Sequence, residues 1–458
     1  MKVVRLRGRG GVRRGLRYGS VGSMVALGVG LHAQAAHAQL IQQLFPSDVP
    51  GYSTDLTGSV VTHQMMGQQS DGIGMGSWLL RPSASENVGY NTNTLGIPGS
   101  GSPAVQTSAN VSASSRWRRH ALGASVGMDD HRYPTQSIAS YTNWHGSIGG
   151  SLNLGRDTLS AAFSHYQYHL SATNLGVYGV VYPVPYQVND GRLSYTKVFG
   201  RFSLIPAFDY QDFSFGTAPG PISIDYDSIS HKVETGSLTS RYEFSRGDAL
   251  VAVLRGSAAQ FDQAVQASTN NYADGAGFVG VDFRRGQVWQ YRLLVGGETR
   301  SFKNGYSPSV STPTFEANVA WMPRRIDTVT LTAARHISDP ETPFARNQVI
   351  TDVRLQWDHE LRHNVFVRAY GEFGESSSQS GQQTEGSTVA SLEGSRLQKQ
   401  IHFGGTVFWN IDRHVRASLT YNYVNNATSG GNVNYLNIPG RLSTFTSNTV
   451  LLGFSISG

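Results

Sequence analysis

The chain has 458 residues, with 37 Lys and Arg against 31 Asp and Glu, and no Cys. Seven of the basic residues and none of the acidic ones fall within residues 1–38, leaving 30 against 31 in the rest. A neutral body excludes bulk attraction to nucleic acid, the missing Cys excludes disulfides and thiol acylation, and 39% hydrophobic residues is low for one large water-soluble core.

The first element is a targeting segment. Lys2, Arg5, Arg7, Arg9, Arg13, Arg14 and Arg17 form a basic region, and Val21 to Leu31 is apolar but too short to span a bilayer as a helix. Ala36-His37-Ala38 fits a small-x-small cleavage pattern, so residues 1–38 are expected to be a signal peptide and Gln39 the mature start. Arg13-Arg14-Gly15-Leu16 resembles a twin-arginine signal, but an unfolded cargo fits an ordinary export signal better. Residues 39–73 are polar and broken by Pro46, Pro50 and Gly51. They are expected to form a periplasmic or lumenal N-terminal segment, too small for a plug domain, with a short helix near Leu40 to Phe45.

From residue 74 to 458 one unit repeats: an extended run of alternating polarity, closed alternately by a short polar turn and a long Gly/Ser/Asn/Pro loop. The expected strands are 74–90, 103–115, 119–129, 138–154, 158–172, 182–199, 201–215, 228–245 and 248–262. They continue at 272–285, 287–303, 309–322, 327–338, 346–360, 364–375, 395–411, 412–426 and 443–457. The fold class is therefore all-β: a transmembrane antiparallel β-barrel of about 18 strands, sixteen being the alternative count, with short periplasmic turns and long extracellular loops. Runs this long exceed the usual soluble strand and suit a tilted transmembrane one.

Alternation assigns faces. Trp289, Tyr291, Leu293 and Val295 oppose Gln290, Arg292, Glu298 and Arg300. Val353, Leu355 and Trp357 oppose Asp352, Arg354, Gln356 and Asp358. Val415, Ala417, Leu419 and Tyr421 oppose Arg416, Ser418, Thr420 and Asn422. Trp78, Trp117, Trp289, Trp321, Trp357 and Trp409 cluster at the short-turn ends, as an interfacial aromatic girdle would, and Trp144 is the exception. The last strand carries Val450, Leu452, Phe454 and Ile456, an assembly-type pattern without the usual terminal aromatic.

Gly72-Ile73-Gly74-Met75-Gly76-Ser77-Trp78, then Pro82, then Tyr90-Asn91-Thr92-Asn93, opens the barrel. This resembles the start of the Putative beta-barrel porin 2 family, which shares a Gly-x-x-x-Gly-Ser-aromatic stretch, a Pro and a Tyr-x-x-Asn element. The resemblance implies an outer-membrane barrel of a Gram-negative bacterium, a link to exopolysaccharide export, and no catalytic residues to carry over. The partners it implies are outer-membrane lipid, the barrel assembly machinery and periplasmic polysaccharide export proteins.

Candidate chemistry is sparse. His165 and His169 share a spacing but lack metal geometry, and His359 and His363 flank a turn. Asp129-Asp130-His131, expected on a loop, is the nearest approach to a cluster. Gly96 to Gly101 lacks the Lys-Ser/Thr tail and helix of a phosphate loop and reads as a mobile loop. The Ser/Gln/Gly-rich stretch 376–395 reads as an outer loop or gate. No cofactor or metal is expected.

The lumen is the better candidate. Arg292, Arg354, Arg368 and Arg416 are expected to line the pore with Glu298, Asp352, Asp358 and Glu372. Mixed charge of this kind either tunes solute selectivity or fills the interior as a salt-bridge ladder. Tyr370 and Phe366 share the inward face and are candidates for stacking on sugar rings. The expected function is a porin-like channel or conduit, with exopolysaccharide export as the family-implied role. The alternatives are a barrel hydrolase and a closed surface-structural or adhesive barrel.

Overall fold

The computed structural model describes residues 72–171, 173–177, 182–218, 224–263, 270–285, 288–303, 307–343, 345–380, 396–430 and 444–458. The expected signal peptide, the N-terminal segment up to residue 71 and most of the 376–395 loop lie outside the described residues.

Period-two sequences fold as strands because alternate side chains then reach two different surroundings. The strands are β1 (Ile73–Met75), β2 (Trp78–Asn91), β3 (Ser102–Ser115), β4 (Ala121–Arg132), β5 (Tyr141–Asn153), β6 (Thr158–Leu170) and β7 (Val184–Phe199). Next come β8 (Phe202–Phe215), β9 (Thr217–Ala218), β10 (Ile224–Asp225), β11 (His231–Ser245), β12 (Asp248–Phe261), β13 (Tyr272–Arg285) and β14 (Trp289–Phe302). The last are β15 (Val310–Arg324), β16 (Asp327–Ser338), β17 (Ala345–Arg362), β18 (Val365–Ser380), β19 (Arg396–Asn410), β20 (Val415–Gly430) and β21 (Thr444–Ser457).

Every long strand pairs antiparallel with its sequence neighbours, and β2 pairs with β21 from Ser83↔Ser457 to Asn91↔Thr449. That last pairing closes the sheet into a barrel of 18 strands. Closure removes the free edges that would otherwise need covering. β9 and β10 form a small separate ribbon in the connection from β8 to β11.

The expected strands reappear within a few residues, but β18 runs to Ser380, into the stretch expected as a loop from residue 376, and the start needs a correction. The barrel strand begins at Trp78, and Ile73–Met75 folds back on it as a hairpin. Gly76, at φ +60°, makes that turn, a backbone state that L side chains disfavour. Both ends of the ring, Trp78 and Ser457, lie at the short-turn end.

The outer face is apolar and open. Leu254 is 64% exposed and Val295 60%, and Leu452, Val279 and Phe454 continue the band. So large an exposed apolar surface is unsustainable in water and is what a bilayer solvates. At the short-turn end Trp289 stacks on Trp321 at 5.5 Å and Trp78 meets Trp117 edge-on at 5.7 Å. Trp357 and Trp409 are exposed at the same end, so these residues form a girdle.

The barrel's buried apolar core sits toward the long loops. Tyr166, Val184, Tyr186, Val188, Phe215, Phe261, Tyr272 and Phe302 cluster there, with Tyr226 and Ile229 from the β8–β11 connection.

Candidate functional site

The site is the inner wall and the loops that fold against it. On β17, Gln348, Ile350, Asp352, Arg354, Gln356 and Asp358 alternate with outward Val353, Leu355 and Trp357. Register carries the inner row to Arg368, Tyr370 and Glu372 on β18, then to His402, Thr406 and Phe408 on β19. Thr420, Asn422 and Asn426 follow on β20. The row is polar because it faces the interior of the ring, not the bilayer.

The eight candidate charges divide by their partners. Arg354 donates to Glu372 at 3.1 Å and its guanidinium lies 4.4 Å from the Tyr370 ring. Arg368 donates to Asp358 at 2.7 Å, and Asp358 also accepts from Gln356. Arg292 forks onto Asp282 at 2.7 and 2.9 Å. Glu298 accepts the backbone N–H of Ile337 at 2.8 Å. Asp352 Oδ2 is buried without a hydrogen bond, and Arg416 donates to Asn410 at 2.6 Å. The candidates thus split between the β17–β20 wall and the β13–β14 wall and do not converge on one point. Phe366 is buried against Phe408, and Arg354 lies over Tyr370, which leaves little ring face for a sugar.

Two loops fold inward, and sequence reasoning found neither. Residues 173–177, between β6 and β7, reach the opposite wall. Gly176 N–H donates to Gln398 Oε1 at 2.8 Å, and Gln400 Nε2 donates to the Thr173 carbonyl at 3.2 Å. Leu175 is fully buried against Gly374, where a Cβ would stand 2.8 Å from its methyl. Gly176 has φ +84°, and a Cβ there would meet Gln348 Oε1 at 2.5 Å. Gly176 therefore suits a left-handed backbone that other residues adopt only with strain, and a side chain at either position would make Gln348 or Leu175 shift.

The second inward loop is 339–343, between β16 and β17. Arg300 donates to Asp339 at 2.8 Å and to Asp274 at 3.2 Å, with its guanidinium 3.7 Å from the Tyr272 ring. His231 Nε2 stands 3.3 Å from Asp339. Burial alone would raise the Asp339 carboxyl, but Arg300, with hydrogen bonds from His231 and Tyr272, holds it well below the usual range. Gln348 Nε2 donates to the Asp339 carbonyl at 2.9 Å, so Gln348 touches both loops. Glu341 is buried with Oε2 unbonded, and burial pushes its carboxyl up to about 8. The only sequence clue to this platform was the alternation of Gln398, Gln400 and His402 with Ile401 and Phe403.

Two expectations need correction. Asp129-Asp130-His131 lies within β4, which runs three residues further than expected. Alternation sends Asp130 outward to Arg132 and Thr142, while His131 stacks on Tyr141 at 4.7 Å, so the three form no cluster. The Gly96 to Gly101 string is packed instead of free: Leu95 is buried with Tyr133, Ala139 and Leu451, and Ser100 accepts from Thr94. Among the described residues no group of three or more His, Asp or Glu could hold a metal ion.

Residues 68–441 match the family model described as Putative beta-barrel porin 2. The chain belongs to this family. The opening motif is the hairpin at Gly76, and the match covers most of the ring. No curated protein matches. Among solved structures, Acinetobacter baumannii OccAB2 is 9% identical over 84% of this chain and 99% of its own, with a TM-score of 0.42. Pseudomonas aeruginosa OccK2 (OpdF), solved with glucuronate, is 11% identical over 85% and 99%, with a TM-score of 0.41. The Pseudomonas aeruginosa siderophore receptor PirA is 10% identical over 85% and 81%, with a TM-score of 0.38. Likeness at this level carries no argument about solute, and the barrel stands on its own register.

Proposed function

We propose that this family member is an outer-membrane porin-like channel whose lumen is narrowed by its own loops. The observation that carries the reading is the closed 18-strand ring with a charged and amide-rich inner wall behind an apolar outer band. Barrels of about sixteen to eighteen strands are wide enough to enclose water. Loops 173–177 and 339–343 then act as the constriction. The eight candidate charges line the path, paired ones shaping the field and unpaired ones selecting solutes. The family link makes exopolysaccharide fragments the first solutes to test.

A second reading has its own support. The apolar cluster near the long loops and the many paired charges suit a barrel closed at rest. The hydrolase alternative has less. His165 and His169 face Asn oxygens, His231 and His359 face Asp, and His414 faces a backbone carbonyl, so none of these imidazoles contacts a serine hydroxyl.

The test is osmotic swelling of proteoliposomes holding the folded chain. Swelling in monosaccharides that slows with chain length is the expected result. Impermeability with folded protein present would contradict the channel and favour the closed barrel.

A further inference from the structure

We infer that the short-turn mouth of the lumen holds a recognition point for oxyanions, carboxylate or phosphate, centred on Arg416. The inference rests on the channel reading for its function but not for its binding.

Most inward arginines elsewhere are neutralised; Arg346, buried over the Phe302 ring at the loop end of β17 with its Nε unbonded, is not, but it lies far from the short-turn mouth. Arg292, Arg300, Arg354 and Arg368 each have a carboxylate within 3.2 Å. Arg192 reaches Asp209 and Arg255 reaches Glu316, both at 3.3 Å, and Arg241 reaches Asp282 at 3.4 Å. Arg416 is different. Among the described residues its one hydrogen-bond partner is neutral Asn410, through Nε at 2.6 Å. The nearest acid along the chain, Asp412, uses Oδ1 to accept the N–H groups of His414 and Val415 in the turn.

Arg416 also has a cationic neighbour. Its guanidinium lies 5.6 Å from the Phe408 ring, and that of Arg368 lies 5.9 Å from the same ring. Two guanidinium groups therefore share one ring with a single carboxylate, Asp358, bound to Arg368. The surrounding inner positions, Thr406, Thr420 and Ser418, are neutral. Because Nε is occupied, the terminal nitrogens of Arg416 are left to an incoming group. A guanidinium presents two parallel N–H donors that match a carboxylate or phosphate edge, which a lysine cannot do. Arg416 is the second residue of β20 and Phe408 the third from the end of β19, so the point sits at the mouth on the short-turn side.

The test uses citrate and inorganic phosphate as probes on the folded full-length mature chain. Calorimetric titration should show binding that Arg416→Gln weakens about fivefold and Arg416→Lys weakens less. Stronger effect with citrate assigns the carboxylate; stronger effect with phosphate assigns the phosphate. In bilayers, citrate added on the short-turn side should block at lower concentration than on the loop side. Equal binding by wild type and Arg416→Gln would overturn the inference. If Arg416→Gln does not fold, equal block of the wild type from both sides overturns it instead. A silent barrel that still binds citrate through Arg416 would defeat the channel reading and leave this one standing.

Discussion

At the scale of single residues, Glu341 is where pH acts most directly on this fold. Its carboxyl is buried in loop 339–343, lacks a partner for Oε2, and is raised from 4.5 to about 8. Below 4.5 it is protonated whether the loop is docked or free, and docking is strongest. Between 4.5 and about 8 the free loop loses its proton while the docked loop keeps it, so docking weakens steadily with pH. Above about 8 both are ionised and the loss levels off. The groups nearby are Tyr186, which feels the Glu341 charge, and the Asp339–Arg300–His231 cluster at the loop's start. Opening of residues 339–343, read as amide exchange divided by the intrinsic exchange rate at each pH, should therefore increase as pH rises from 5 to 8 and be flat in Glu341→Gln. A variant as pH-sensitive as the wild type would reject this account.

At the scale of elements, the 173–177 loop is held by neutral hydrogen bonds, each worth about 0.5–1.5 kcal/mol net. Gly176→Val should release it, because the side chain meets Gln348 and the left-handed backbone is strained. Gln398→Ala removes the acceptor for Gly176 and the donor to Asn426 and should loosen the loop in part. Both should raise conductance, Gly176→Val more, while salt leaves the ratio to wild type unchanged because no charge among the described residues holds the loop. Conductance identical to wild type in both variants would mean that the loop is not the constriction.

Strands and loops differed in how far the sequence exposed them. Val353, Leu355 and Trp357 alternating with Asp352, Arg354 and Asp358 revealed both faces, because a strand's two surfaces are set by local period alone. The inward loops were hidden because their reasons are remote. Gly176 donates to a residue 222 positions away, and Gly374 matters only because Leu175 arrives there. Alternation put the candidate charges on one face of their strands, but it could not show their pairing. Arg292 reaches Asp282 on the neighbouring strand, whereas Arg255 reaches over β13 and β14 to Glu316 on β15. Residues 74–77 were misassigned to the first barrel strand because an arm as short as Ile73–Met75 is too short to show a reversal.

At the scale of the whole molecule, one residue step separates lipid from lumen. Leu254 faces outward near the middle of β12, and Arg255 beside it faces inward to Glu316. Leu254→Arg should lower the stability of the bilayer-folded barrel by about 2–4 kcal/mol, as a charge near mid-membrane does. A shift under about 0.5 kcal/mol in lipid would deny that this face is buried in the bilayer. The central claim is that a closed ring carries solutes past its own loops, and single-channel conductance of the folded chain tests it most directly. Steady openings in the wild type, enlarged in Gly176→Val, are the predicted result. Silence from both proteins, each shown to be folded and inserted, would contradict it.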